Sequence, residues 1–577
     1  MTAQNKKLFQ RLVRLLSHTL IERQVETEAL IGAVLARWCK QSFKGLPRSG
    51  LPAPSVLQND PAVVNFVDFI QSHDLLEAVY WLSSAYAQLV GYEMRKNLAM
   101  FFTPPSLTKR LLDDLEESGV DFSLNSFCDP ACGGAAFLTP IAMRMQCSLK
   151  VKGASPTEII KHAQKNLYGI DRDTTLCKLS RHFLLMVFYD EVIVSRLIPK
   201  FQIQCLDSLL QASPLEGKLD VVVCNPPFRK IKSEEVNIYI NGYSEVIEGQ
   251  PNLYTLFMVL CISLLAPQGK CALVTPTSFL SGQYFSKLRT YLISHVKFIS
   301  IGMVSDRSGV FIDVEQETAL TLMQRQESDC TVEGDTRVSV VSRNGEYVDV
   351  GICSLPNSGS VWPIPRSESD AELLRRAMKS KFTIVDYGYR ARIGAFVWNR
   401  DQRPTYLSEK NVAKANAISA IPLLWSSDIA SDGRLRFDGS SKLNNEPCFV
   451  DLGSKSHRSI VRHPSVILQR VTSNDQSRRL IAATVPNEIL ENYGGFVGEN
   501  HTVILEQAVP EPVLAPAQLS LLLGLSVIDR CFRCISGATN VSIFELKQLP
   551  LPNPDKLKKF LSEGRDFEEA TQSAFEN

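Results

Sequence analysis

The segment Leu219-Asp220-Val221-Val222-Val223-Cys224 runs directly into Asn225-Pro226-Pro227-Phe228. A short β-branched, nearly all-apolar run predicts a strand buried on both faces, the situation of a strand inside a parallel sheet. The two prolines stop it: each fixes φ, neither donates a backbone hydrogen bond, and the first holds Asn225 in an extended conformation with its carbonyls directed outward. A parallel strand needs crossover partners. From 97 to about 326 the chain supplies them, because β-rich runs at 126–128, 167–170, 201–205 and 270–274 alternate with helical stretches. That alternation predicts βαβ units and an α/β fold.

The flanking parts differ. Up to about residue 90 apolar positions recur at helical spacing (Leu8, Leu12, Leu15 and Leu16, then Ala29, Leu30, Ala33 and Val34), with a break at 45–54. Beyond 331 many short strand-like runs carry turn signals such as Asn344-Gly345 and Asp432-Gly433. A helical N-terminal region over 1–90, a central α/β domain over 91–330 and a mixed α/β domain over 331–577 are expected, ending in a charged tail over the last dozen residues.

Composition excludes several classes. The longest apolar stretch, 253–266, is interrupted by Thr255 and Ser263 and is too short to cross a bilayer. The N-terminus lacks the apolar core of a signal peptide, so a cytoplasmic protein without a membrane partner is expected. Fourteen cysteines without framework spacing suit a reducing compartment. Cys531 and Cys534 form a CxxC without a second pair or a histidine cluster nearby, so no metal site is expected. The net charge is +1, yet 386–480 holds 15 Lys and Arg against 9 Asp and Glu. This local surplus points to a polyanion-facing segment.

Four positions carry the chemistry. The strand at 126–128 leads into Asp129-Pro130-Ala131-Cys132-Gly133-Gly134, an acid followed by a small-residue turn that lets a ligand approach backbone. The GxGxxG dinucleotide pattern is not met, which favours a cationic, non-phosphate nucleoside whose charge Asp129 pairs. Tyr168-Gly169-Ile170-Asp171 places a second acid where doubly wound folds hold ribose hydroxyls, and Asp207 is a third. At the fourth position, Asn225 Oδ1 and the Pro226 carbonyl offer two fixed acceptors to the hydrogens of a planar amino group. They favour the pyramidal geometry that frees the nitrogen lone pair. Phe228 offers a π-face to a base rotated out of its stack.

The order Phe101-Phe102-Thr103-Pro104-Pro105, Asp129-Pro130-Ala131-Cys132-Gly133-Gly134, Gly169-Ile170-Asp171, Asp207 and Asn225-Pro226-Pro227-Phe228 resembles the gamma-class adenine-N6 DNA methyltransferases. The resemblance covers roughly 97 to 326. It implies a Rossmann-like class I methyltransferase domain that uses S-adenosyl-L-methionine, held by Thr103, Asp129, Ala131, Gly133, Asp171, Asp207, Asn225 and Phe257. It also implies catalysis by Asn225, Pro226, Pro227 and Phe228, with Phe311 stacking on the other face of the flipped adenine. In the C-terminal part, Arg470, Arg478, Arg479 and Asn540 lie in segments that look like the target recognition domain of single-chain members, where they are assigned to DNA. The implied setting is a restriction-modification or phage-defence system, with double-stranded DNA as partner, a cognate endonuclease encoded separately and a monomeric enzyme.

Two other enzyme readings share this chemistry. Loops of this type also occur in methyltransferases of RNA bases and of a protein glutamine amide. A binding-only module built on the same scaffold is a third alternative, and it predicts damaged motif residues, which are not seen.

Overall fold

The computed structural model describes residues 3–98, 100–304, 317–326, 335–356, 358–442, 444–472, 476–537 and 539–575. They form two compact units, Met1–Phe279 with Tyr284–Gly359, and Leu280–Gln283 with Ser360–Asn577.

The first unit is built on a nine-stranded sheet. In chain order its strands are β1 (Phe127–Asp129), β2 (Leu167–Asp171), β3 (Gln202–Cys205), β4 (Leu219–Cys224), β5 (Leu265–Pro276), β6 (Val296–Val304), β7 (Thr318–Arg325), β8 (Asp335–Val341) and β9 (Tyr347–Ser354). Their spatial order is β3-β2-β1-β4-β5-β7-β6-β8-β9. The first five are mutually parallel, as the buried β-branched runs require. β7 then runs antiparallel between β5 and β6, so the sheet is mixed rather than wholly parallel. This is a Rossmann-like α/β architecture, as the alternation of strands and helices predicts. The sheet does not stop near 330: β8 pairs with β6 and β9 with β8, which carries the first unit on to Gly359.

The N-terminal helices form as their spacing predicts, over Ala3–Arg23, Thr27–Ser42, Pro61–Gln71 and Leu75–Leu89. They are not a separate domain. Phe9, Leu16, Val34, Phe66 and Trp81 share one continuous core with Phe127, Leu138, Leu176 and Val223 of the α/β part. At its centre the fully buried Trp81 ring lies 4.7 Å from Phe9 and 5.6 Å from Phe69. The Leu75–Leu89 helix is apolar almost all round, and it is buried because one side meets the helices and the other meets the turn after β1. Tyr86 donates to Asp173 Oδ2 at 2.8 Å, and Lys178 pairs with Glu28 at 2.7 Å.

The second unit holds two four-stranded sheets. Its strands are β10 (Tyr389–Ile393), β11 (Thr405–Tyr406), β12 (Ala420–Leu424), β13 (Phe449–Asp451), β14 (Ser465–Gln469), β15 (Ala482–Thr484), β16 (Val497–Gly498) and β17 (Thr502–Gln507). They order as β10-β17-β14-β15 and β11-β13-β12-β16, followed by helices. The expected charged tail is instead a helix, Phe567–Phe575. Ala570, Thr571, Ala574 and Phe575 fall on one face and are buried, while Glu568 and Glu569 lie in its first turn. Cys531 and Cys534 lie on the buried face of the Ser526–Ile535 helix. Among the described residues every cysteine is a free thiol, no helix is long and apolar enough to cross a membrane, and no cluster of three potential metal ligands occurs.

Because Trp81 joins the helical layer to the shared core, Trp81→Ala is expected to lower stability by about 3–5 kcal/mol. Urea unfolding of the intact chain, followed by circular dichroism, measures the shift.

Candidate active site

Four parallel neighbours end at one edge of the first sheet: β3, β2, β1 and β4. Ligands collect outside the carboxyl ends of such strands, because the chain there turns away and leaves backbone groups to be satisfied. Asp129 is the last residue of β1, Asp171 the last of β2, Asp207 lies two residues beyond β3, and Asn225 directly follows β4. One cleft is lined by all eight residues assigned to the cofactor: Thr103, Asp129, Ala131, Gly133, Asp171, Asp207, Asn225 and Phe257.

The turn after β1 is braced from several sides. Asp129 Oδ1 accepts from Ala131 N at 3.0 Å, and Gly133 N donates to Asp171 Oδ2 at 2.9 Å. Asp171 Oδ1 accepts from Asp173 N at 2.8 Å, so the carboxylate spans the turns after β1 and β2. The carbonyls of Gly133 and Pro130 accept from Ser180 Oγ at 2.7 Å and Ser208 Oγ at 2.5 Å. Gly133 has φ +49°, and a Cβ there would sit 2.8 Å from the Phe102 ring. At Gly134 a Cβ would fall 1.9 Å from Ser83 Oγ, so only glycine lets the Leu75–Leu89 helix approach this turn.

Charge is concentrated and desolvated here. Burial pushes the Asp171 carboxyl up to about 6 against the opposing effect of its backbone N–H partners. Burial raises Asp129 well above the usual carboxylate range, with Ala131 N the opposing donor. Asp207 caps the short helix Ser208–Gln211 through Leu209 N at 3.1 Å and lies 3.7 Å from the Arg172 guanidinium.

Asn225 is held in one orientation. Its Nδ2 donates to the Phe101 carbonyl at 2.9 Å, which leaves Oδ1 as the acceptor, buried and without a partner. Thr103 Oγ1 is likewise buried and unpartnered. Buried polar atoms in native folds are overwhelmingly hydrogen-bonded, so orphans sharing one cleft mark a place where a ligand completes the bonding. Pro227 lines the cleft; Pro226 is buried and, like Phe228, does not line it. The Phe228 ring is half-buried and meets Tyr254 edge-on at 6.3 Å, while the Tyr254 hydroxyl is bonded to Ser278 Oγ at 2.8 Å. Phe311 lies outside the described residues.

Arg172 and Tyr239 also line the cleft and were not singled out from the sequence. Arg172 directly follows Asp171 and was legible by adjacency. Tyr239 lies on the helix Ser233–Tyr243, whose approach to the cleft is tertiary and leaves no local pattern.

The residues assigned to DNA all lie in the second unit and separate by burial. Arg478 and Asn540 are exposed, and Arg470 is half-buried with its guanidinium donating to the Asn500 carbonyl at 2.9 Å. Arg479 is corrected: it is fully buried, bonded to Ser536 Oγ at 3.0 Å and to Thr472, while its backbone N–H donates to Asp529 at 2.6 Å. A guanidinium with 0% exposure has no face open to a phosphate or base.

Comparison with known proteins finds likeness in sequence and in fold. Residues 165–311 match the family model described as Eco57I restriction-modification methylase. The chain is 21% identical over 482 residues to the type II methyltransferase M.BsuBI of Bacillus subtilis, covering 80% of this chain and 89% of that protein. It is 22% identical over 416 residues to M.PstI of Providencia stuartii, covering 70% and 78%. Among solved structures, the type IIL restriction-modification enzyme MmeI, determined in complex with DNA, superposes with a TM-score of 0.53 at 13% identity. It covers 96% of this chain and 87% of that one, a likeness of fold. Residues 165–311 thus resemble an Eco57I restriction-modification methylase domain, and the longer chain is similar in sequence to type II methyltransferases.

Proposed function

We propose that the chain is a site-specific DNA methyltransferase that transfers a methyl group from S-adenosylmethionine to the exocyclic amino nitrogen of an adenine turned out of the duplex. The observation that carries this reading is the Asn225 amide: Nδ2 is tied to the Phe101 carbonyl, and Oδ1 is left as a fixed, unpartnered acceptor in a cleft it shares with three strand-end acids.

The residues present suit S-adenosylmethionine. Asp129, buried and pushed towards neutrality without a cation, gains most from a positively charged ligand. Asp171 offers carboxylate oxygens to ribose hydroxyls, and Asp207, Phe257 and Tyr239 line the same cleft. Ala131 and Gly133 present a turn without bulky side chains. When bound, the cofactor supplies an electrophilic methyl group.

The chain's own residues prepare the nucleophile. An adenine amino nitrogen is planar because its lone pair is delocalised into the ring. Asn225 Oδ1 and the Pro226 carbonyl accept its two hydrogens and favour the pyramidal form, which frees the pair. The prolines make these acceptors rigid, so little reorganisation is needed. No strong base is required, because the nitrogen becomes acidic only as it is alkylated. Phe228, propped by Tyr254, offers a stacking face to the displaced base, and Phe311 is assigned to its opposite face. The second unit is the proposed target recognition domain, with Arg470, Arg478 and Asn540 as DNA-facing residues. A separately encoded endonuclease, a monomeric state and a cytoplasmic location belong to the same reading.

Purified protein is expected to move tritiated methyl from S-adenosylmethionine to unmodified duplex DNA, giving N6-methyladenine at one short sequence; label found only on RNA or protein refutes the substrate. Asn225→Ala is expected to leave cofactor affinity nearly intact, measured by calorimetry, while losing turnover by about a hundredfold or more. Asp171→Ala is expected to weaken cofactor binding itself through lost hydrogen bonds. The Asp171 carboxyl also predicts a pH effect. Its folded-state value is raised from 3.8 to about 6, so its contribution to stability is full at low pH and is lost as pH rises through that window. Relative to Asp171→Asn, the wild-type chain should lose about 2 kcal/mol between pH 4 and 6, read by urea unfolding.

A further inference from the structure

The first unit contains a second chamber, separate from the chemistry proposed above. It offers about 480 Å³, and lies between the Leu75–Leu89 helix, the start of the helix Pro105–Glu117 and the segment from Gly134 into the helix Leu138–Val151. Phe102, Thr103 and Ala136 line both this chamber and the cofactor cleft, so they form a shared wall.

The lining has a definite chemistry. Val79, Phe102, Ala135, Pro140 and Met143 make it mainly apolar. The basic residues at its rim are neutralised: Lys109 pairs with Asp113 at 2.8 Å, and Arg144 pairs with Glu116 at 2.8 Å and with Asp113. Burial holds the Tyr80 phenol well above its ordinary value, so it stays uncharged. Against this background, three buried hydroxyls are unpartnered, those of Tyr80, Thr139 and Thr103. Thr139 Oγ1 belongs to a residue with 0% exposure and Thr103 Oγ1 to one with 2%, and neither has a hydrogen-bond partner.

Such a volume falls in the range of small-molecule sites, which are mostly apolar with a few polar groups that orient the ligand. Net charge is disfavoured in the buried part, because the two lining carboxylates, Asp74 and Glu77, sit at the solvent-facing start of the Leu75–Leu89 helix, where Asp74 accepts from Glu77 N at 2.9 Å, and burying an unpaired ion is costly. A wholly apolar ligand is also disfavoured, because it leaves the Thr139 and Tyr80 hydroxyls orphaned. We propose that this chamber binds an uncharged, largely apolar small molecule bearing a carbonyl or amide group that bonds to the Thr139 hydroxyl. Because Phe102 and Thr103 belong to both walls, an occupant changes the affinity of the neighbouring cleft for its own ligand, and by linkage the reverse holds.

The test uses the intact chain and three probes of similar shape: benzamide, toluene and benzoate. Ligand-observed NMR saturation transfer reads direct binding and does not depend on the methyltransferase reading. A ligand as small as benzamide is expected to bind with a dissociation constant of about 1 mM. Toluene should bind more weakly, and benzoate should show no specific transfer.

Thr139→Val keeps the shape and removes the hydroxyl, and is expected to weaken benzamide binding about fivefold. Its affinity for S-adenosylmethionine without benzamide should be unchanged. If that variant does not fold, Met143→Trp at the rim fills the chamber and should abolish the benzamide signal. Saturating benzamide should shift the S-adenosylmethionine dissociation constant of the wild-type chain about threefold or more, and Met143→Trp should remove the shift. Absence of benzamide transfer, equal binding of all three probes, or benzamide binding unaltered by the variant that folds overturns the proposal. Benzamide binding without any shift in cofactor affinity overturns the coupling. Failure of S-adenosylmethionine itself to bind refutes the functional reading and leaves the direct benzamide result to stand or fall by itself.

Discussion

The buried carboxylate of Asp171 is the interaction on which the first unit's architecture turns. It accepts from Gly133 N with one oxygen and from Asp173 N with the other, and so ties the turns that leave β1 and β2. Burial opposes its charge, while the two backbone donors favour it. A carboxylate poised in this way is a strong acceptor for whatever completes its desolvated environment. The same bonds set the path of the Gly133-Gly134 turn, and therefore the approach of Phe102 and Ser83 to it.

That turn explains why the N-terminal helices are part of the first unit. A Cβ at Gly134 would collide with Ser83, and the Ser83 hydroxyl bonds to the Gly134 carbonyl at 3.4 Å. Tyr86, one turn further along the same helix, bonds to Asp173, the cap of the helix after β2. The helical layer thus braces the turns after β1 and β2 that line the proposed cofactor cleft, and its packing also leaves the second chamber, whose wall it shares with Phe102 and Thr103. Packing, cleft geometry and the proposed coupling between the two cavities rest on one contact surface.

At the other side of the cleft, Asn225 owes its chemical usefulness to a single hydrogen bond from outside its own loop. The prolines at 226 and 227 stiffen the backbone, but it is the Phe101 carbonyl, far away in sequence, that fixes which amide atom is the acceptor. Rigidity comes from the local sequence, and polarity from the fold.

The local sequence alone determined the parallel strands, the acids at their ends and the two-proline loop, because each is encoded by neighbours within a few residues: β-branched runs, small turn residues and fixed φ angles. It also identified Asp129, Asp171, Asp207 and Asn225 as a set, since a parallel sheet delivers strand ends to one edge. Only the tertiary structure decided that Arg479 serves the interior, that β8 and β9 extend the first sheet, that the last helix packs into a core, and that Tyr239 reaches the cleft. Those outcomes depend on burial and pairing between segments far apart in the chain, and an arginine followed by an apolar residue reads the same whether its guanidinium meets solvent or the carbonyl of a distant loop.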